Sequence, residues 1–298
     1  MSWVCRIENI HRRSWRRRLN AAQLRLKPLW NRLFPGAPLP VQLPYGGWWL
    51  AIDDTISDAI LTCGFEEAEW HFVSRFLKKG MTVLDIGAHH GFYTVLASKK
   101  IGNSGIVIAF EPSPREQQRL QLHLKINHCT NVKVEPLALS SQNGKASLFL
   151  VEGRGTAFNS LRPPAISTPT QRISVSTMPL DNYIEKEGIR RVDFIKMDTE
   201  GAELEILRGA AGLFNRNSRP IIMIEISDLR SAPWGYCSSA IYKYLSERGY
   251  HWFSIGSQGN LQPFPENVSR YNFIAVPEGN LATIQELIQP GKDLMNAV

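Results

Sequence analysis

The stretch Val83–Thr94, VLDIGAHHGFYT, is where the fold is decided. Apolar residues surround an acid, Asp85. Two glycines, Gly87 and Gly91, then stand four apart with His89 and His90 between them. A strand that runs through a glycine turn into a helix is where open α/β sheets bind their ligands. A dinucleotide turn would read G-x-G-x-x-G and bring backbone amides against a pyrophosphate. Here the first tight glycine pair is missing, and so is the Gly-Lys-Ser/Thr of a phosphate loop. The turn is not built around a phosphate.

The next apolar run, GIVIAFEP (105–112), ends in Glu111, 24 residues beyond Gly87. A carboxylate at the end of that strand can accept both hydroxyls of a ribose lying across the sheet edge. Asp85, the glycines and Glu111, in that order, suit a nucleoside with a charged amino-acid tail and no phosphates, namely S-adenosylmethionine.

Outward from these motifs the chain alternates apolar strands with amphipathic helices. Strands are expected at TVLDIG, GIVIAFEP, VKVEPLAL, VDFIKMD, PIIMIEIS, HWFSIG and YNFIAVP. A β-rich insertion holds ASLFLVE and RISVSTMPL, and GAELEILRGAAGLFNRN reads as one helix. Apolar strands between helices imply a parallel sheet covered on both faces. HWFSIG and YNFIAVP have no crossover helix between them, so YNFIAVP should enter antiparallel. The expected fold is therefore α/β, a doubly wound (Rossmann-like) seven-stranded sheet with one antiparallel strand.

The chain has 298 residues, 43% of them hydrophobic, enough for one large domain with an appendage. Its net charge of +7 is concentrated at the start: residues 1–34 carry nine Arg or Lys against one acid, Glu8. The remaining body is close to neutral, so the basic balance does not point to an active site that grips nucleic acid. In that segment Trp15, Leu19, Ala22, Leu26, Leu29, Trp30 and Leu33 recur at helical spacing, with Pro28 expected to break or restart the helix. Two readings stand: a basic helix for a membrane surface or polyanion, or a solvated tail packing its apolar stripe on the body. PGAPLPVQLPYGG (35–47) marks a boundary, giving a basic extension and linker at 1–46 and an α/β domain at 47–298. The four cysteines have no metal-ligand spacing and read as reduced thiols. With no secretory signal and no apolar run of spanning length, the expected location is cytoplasmic, with peripheral membrane contact through residues 1–34 as an option.

VLDIGAHHGFYT, AFEPSP, LALS and above all LDNYIEKEGIRRVDFIKMDTEGAELEILRGA resemble the FkbM-type methyltransferases, class I enzymes that use S-adenosylmethionine, mostly on oxygens of sugars and natural products. The resemblance runs from about Thr62 to about Pro277, and KMDTEGAE is its most specific part. It implies that Gly87, Ala88, His89 and Gly91 wrap the methionyl part of the cofactor while Asp85 organises the turn. It also implies that Glu111 holds the ribose, that Pro112 and Ser113 border the adenine, and that Ala138 and Leu139 face its other side. Glu66 matches an acid that could approach the cofactor's amino group. The departure is His89-His90, where the family usually has Asn-Ile or a similar pair. His90 is either a base facing the reacting hydroxyl or a packed side chain.

In KMDTEGAE, Asp198 ends a buried strand, with Glu200 and Glu203 leading into the next helix. Capping accounts for Glu203. Asp198 or Glu200 could accept the substrate proton or position its hydroxyl. Alternatively, Asp198 and Glu225 could bind a divalent cation, although too few oxygens are in view and no metal is expected. Phe158, Trp234, Tyr236, Trp252 and Phe264 could line a substrate pocket or belong to the core. The leading expectation is an O-methyltransferase of a saccharide or other small molecule. The alternatives are an RNA-modifying enzyme anchored by the arginine-rich start, and a binding protein of the same fold.

Overall fold

The computed structural model describes residues 22, 25–62, 64–164, 166–264 and 270–288. The arginine run up to Arg18, with Trp15 and Leu19 of the expected stripe, lies outside them, as do Cys5 and Cys63. Residues 25–33 form a helix, α1. It continues through Pro28.

β1 (Leu39–Gln42) and β2 (Trp48–Ala51) form an antiparallel hairpin. The boundary expected at 46/47 falls in its turn. Leu39, Val41 and Leu43 before that point share one apolar cluster with Trp49 and Ala51 after it. Two helices follow, α2 (Thr55–Leu61) and α3 (Glu67–Phe76).

Next come β3 (Thr82–Ile86), α4 (Phe92–Ile101), β4 (Ile106–Phe110), α5 (Pro114–Ile126) and β5 (Val132–Glu135). VKVEPLAL is two strands, because Pro136 cannot donate to a ladder. Its second half, β6 (Ala138–Leu139), leaves the main sheet and joins β7 (Gly144–Val151) and β8 (Thr170–Met178), the expected insertion, in a three-stranded sheet.

The chain re-enters the main sheet after α6 (Leu180–Lys186) through β9 (Phe194–Met197). The single helix expected from 201 is two, α7 (Glu203–Arg208) and α8 (Ala211–Phe214). Between them Gly209 presses on the insertion so closely that a Cβ would lie 2.1 Å from the Ser140 carbonyl oxygen. β10 (Ile221–Ser227), α9 (Asp228–Ser231), α10 (Ser238–Ser246), β11 (Tyr250–Ile255), β12 (Leu261–Pro263) and β13 (Arg270–Pro277) complete the fold.

The main sheet has the order β12-β11-β13-β10-β9-β3-β4-β5. β5, β4, β3, β9 and β10 are parallel, and β13 enters antiparallel between β10 and β11 as expected. This is the expected doubly wound α/β arrangement, with one correction. The sheet has eight described strands, not seven, because three residues of the loop between HWFSIG and YNFIAVP pair antiparallel with β11.

Both faces are covered, because successive residues of a buried strand point to opposite sides. Val83, Phe194, Met223 and Ile274 meet α3, α4 and the hairpin on one face. Leu84, Ile86, Ile195, Met197 and Ile224 meet α6, α7 and α10 on the other. Each such side chain contributes about 1.5–3 kcal/mol by leaving water. No described helix is long and apolar enough to cross a membrane.

Candidate active site

The carboxyl ends of β3, β4, β9 and β10 open onto a cleft made of two adjoining pockets. Its first part is lined by Glu111, Pro112, Leu137, Ala138, Leu139 and Leu148. Its second part is lined by Glu66, Asp85, Lys196, Asp198, Glu225 and Arg230. Gly87, His89, Ala157, Asp198 and Glu200 border both.

The turn after β3 is self-contained. Gly87 has φ +80°, and a Cβ there would lie 1.9 Å from the Asp198 carbonyl oxygen, so the end of β9 leaves room only for glycine. The Gly87 and Ala88 amides both donate to the Phe110 carbonyl, and the Gly91 amide donates to Ala88. The His89 amide donates to Glu111 Oε2 at 2.8 Å, and the Ser113 amide donates to Glu111 Oε1 at 2.9 Å. Asp85 accepts from the Thr94 hydroxyl, tying β3 to α4. Burial pushes the Asp85 carboxyl up to about 6 and that of Glu111 up to about 8.

Two expected residues stand away from the cavity wall. Gly91 starts α4 and faces α5, where a Cβ would meet Leu120 at 2.4 Å. Ser113 starts α5, and its hydroxyl donates to Glu116. Ala88 lines the second part beside His89 and His90.

The histidines have different surroundings. His89 has φ +49°, and its Nε2 lies 3.2 Å from the Thr156 hydroxyl of the insertion. Burial lowers its pKa. His90 is 3% exposed, and its Nδ1 faces Asp54 Oδ2 at 3.5 Å. The other oxygen of Asp54 caps α2 by accepting from the Ser57 amide at 2.6 Å. Burial, then the neighbouring His89 and His123, hold His90 far below the ordinary histidine range, so it is neutral. His123 fixes the peptide of His90: its Nδ1–H donates to the His90 carbonyl while Nε2 accepts from the Leu50 amide. Sequence reading missed Asp54 and His123, since both contacts join segments far apart in the chain.

At the end of β9, Lys196 is 2% exposed, with Nζ 3.1 Å from Asp198 Oδ2 and 3.3 Å from Asn272 Oδ1. Burial alone would lower this ammonium, but the Asp198, Glu66 and Glu225 carboxylates together raise it. Asp198 is lowered to about 2: burial opposes this, and Lys196 and a hydrogen bond with Glu225 outweigh it. Burial and the Asp198 charge push Glu225 up to about 10, so the pair holds one proton. Glu66 accepts from the Tyr93 hydroxyl at 2.5 Å and from Asn272 Nδ2 at 3.4 Å, and burial raises its pKa.

Glu203 does the capping expected of it: its Oε1 accepts from the Thr199 amide and hydroxyl and from the Gly201 amide. Asp198 is thereby left to the cleft. Glu200 sits at φ +57° and pairs with Arg230, whose guanidinium lies over the Phe158 ring. Of the five aromatics singled out, Phe158 lines the cleft, whereas Trp252 and Phe264 pack with Tyr242 in the core and Trp234 and Tyr236 border that cluster.

Among the described residues, two groups bring possible metal ligands within 4.8 Å: Asp198, Glu200 and Glu225, and His89, His90 and Glu116. The carboxylates are already balanced by Lys196, Arg230 and the shared proton. The two imidazoles are stacked with centroids 3.8 Å apart, so their in-plane lone pairs run side by side instead of converging on one ion.

The chain belongs to the FkbM methyltransferase family: residues 85–252, more than half of it, match the methyltransferase FkbM domain. It is 24% identical to Methyltransferase 1 of Beauveria bassiana, over 43% of this chain and 57% of that protein. It is 26% identical to the 2-O-methyltransferase NoeI of Sinorhizobium fredii, over 46% of this chain and 60% of that protein. The chain thus spans less than two thirds of the length of either. The crystal structure of the FkbM methyltransferase from Methylobacillus flagellatus is 19% identical, with a TM-score of 0.43, over 74% of this chain and 52% of that one.

Proposed function

We propose that this chain is an S-adenosylmethionine-dependent methyltransferase acting on a hydroxyl of a saccharide or other small molecule. The observation that carries the reading is the adjacency of two pockets that share Gly87, His89, Ala157, Asp198 and Glu200, one holding Glu111 beside an apolar wall and the other a cluster of acids. The donor set fits this cofactor better than a dinucleotide. The amides of Gly87, Ala88, His89 and Gly91 are already bonded within the turn, so they offer no row of donors to a pyrophosphate. Glu111 would hold the ribose diol, Pro112, Leu137, Ala138 and Leu139 the adenine, and Glu66 and Asp85 the cationic amino-acid tail. A 2-O-methyltransferase among the relatives supports an oxygen acceptor.

When bound, S-adenosylmethionine supplies a methyl group already activated on a sulfonium. The chain's own residues then orient the acceptor hydroxyl toward it. Asp198, held ionised by Lys196, is too weak a base at neutral pH and instead orients the hydroxyl. His90 lines the same part of the cleft, but burial holds it so far below its ordinary range that it is no stronger a base, so it too serves to position the hydroxyl, whose proton leaves to water.

The test is adenosylhomocysteine formation against a panel of hydroxylated acceptors, oligosaccharides included, with amines and RNA alongside. Methyl ether formed in step with adenosylhomocysteine supports the proposal. Turnover only on amines or only on RNA contradicts the acceptor.

A further inference from the structure

We propose that the outward face of α1 docks this protein on an anionic lipid surface. The observation is which side of the helix is held. Trp30 packs against the core, and its Nε1 donates to the Ala37 carbonyl. Lys27 Nζ binds Asp58 at 2.6 Å and reaches Asp53 at 3.8 Å. With that side fixed, Leu26, Leu29 and Leu33 form one stripe at helical spacing that faces solvent, 54%, 50% and 62% exposed, and Phe34 beyond it is 50% exposed. Of the described stripe, Trp30 packs on the body, whereas Leu26, Leu29 and Leu33 do not.

Charge selects the occupant. Arg25 and Arg32 flank the stripe, and the chain before it adds six more arginines with Glu8 as its single acid. RNA would engage the arginines and leave the leucines in water. The headgroup–acyl boundary of an anionic bilayer takes both. The placement also serves the cleft. Lys27 clamps α2 through Asp58, and Thr55, Ile56 and Ala59 of α2 line the cleft, so docked helix and cleft share one element.

The test is flotation of the full chain with phosphatidylcholine–phosphatidylserine vesicles and with phosphatidylcholine alone, which needs no methyl transfer and so stands or falls apart from the proposed activity. Binding to the anionic vesicles should be about tenfold tighter or more, and weaker at raised salt. Leu29→Asp with Leu33→Asp should lose about tenfold in binding while melting like the parent, since both side chains are exposed. Equal partition onto neutral vesicles would overturn the proposal, as would double-variant binding equal to the parent's. So would a concentration-dependent dimer, seen without vesicles, that the double variant abolishes. Salt-sensitive binding to an RNA homopolymer with no binding to vesicles would overturn it too.

Discussion

Asp198 and Glu225 meet in one cleft, yet one is held ionised at about 2 and the other protonated up to about 10. Native Glu225 keeps a proton that the unfolded chain loses near 4.5. Its contribution is therefore fully present below that value and is lost as pH rises toward about 10, by up to about 1.4 kcal/mol per pH unit. Glu225→Gln should flatten the fall of melting temperature between about pH 8 and pH 9, where the Glu111 titration is passing out of the window. Unchanged steepness would mean that Glu225 is ionised in the native chain. The same contrast governs turnover. Glu225→Gln replaces a protonated acid with a neutral near-isostere and should leave the rate close to the parent's. Asp198→Asn strips Lys196 of its nearest counter-charge and should lower kcat about a hundredfold. At His90, held neutral by burial, replacement by Gln should leave the pH profile of turnover unchanged. Asp198 and Glu200 were legible because a charged run ends an apolar strand. Asp54 was not, because nothing local in AIDDTISD signals that its carboxylate faces His90.

The strands VLDI, IVIAF, FIKM and IIMIEIS were legible because strands buried on both faces read as continuous apolar runs. β12 was not, since Leu-Gln-Pro carries no period and is paired only because the loop folds back on β11. The divide between α7 and α8 was hidden for a related reason. LRGAAGLF keeps helical spacing, and only the contact of Gly209 with Ser140 bends it. The turn from Thr199 to Gly201 rests on one carboxylate oxygen of Glu203. Glu203→Ala leaves the buried Gly201 amide and the half-buried Thr199 amide without this partner and should cost about 1–3 kcal/mol in denaturant unfolding, whereas Glu203→Gln keeps an acceptor and should cost less. Equal losses for the two variants would show that packing matters there and hydrogen bonding does not.

At the scale of the whole molecule, the order of five parallel strands places the ends of β3, β4, β9 and β10 side by side, and the insertion brings Thr156, Ala157 and Phe158 over them. The carboxylates of this cleft already have Lys196, Arg230 and a shared proton, so a chelator should leave turnover unchanged. Loss of activity that magnesium restores would instead make Asp198, Glu200 and Glu225 metal ligands. The central claim is that the cleft holds S-adenosylmethionine with Glu111 at its ribose, and calorimetry tests it most directly. Adenosylhomocysteine should bind the parent chain, NAD should give no comparable heat, and Glu111→Ala should weaken the binding by about 1.5–3 kcal/mol, roughly ten- to a hundredfold. Tight NAD binding with no response to either adenosyl ligand, or a folded Glu111→Ala chain that binds adenosylhomocysteine as tightly as the parent, would contradict it.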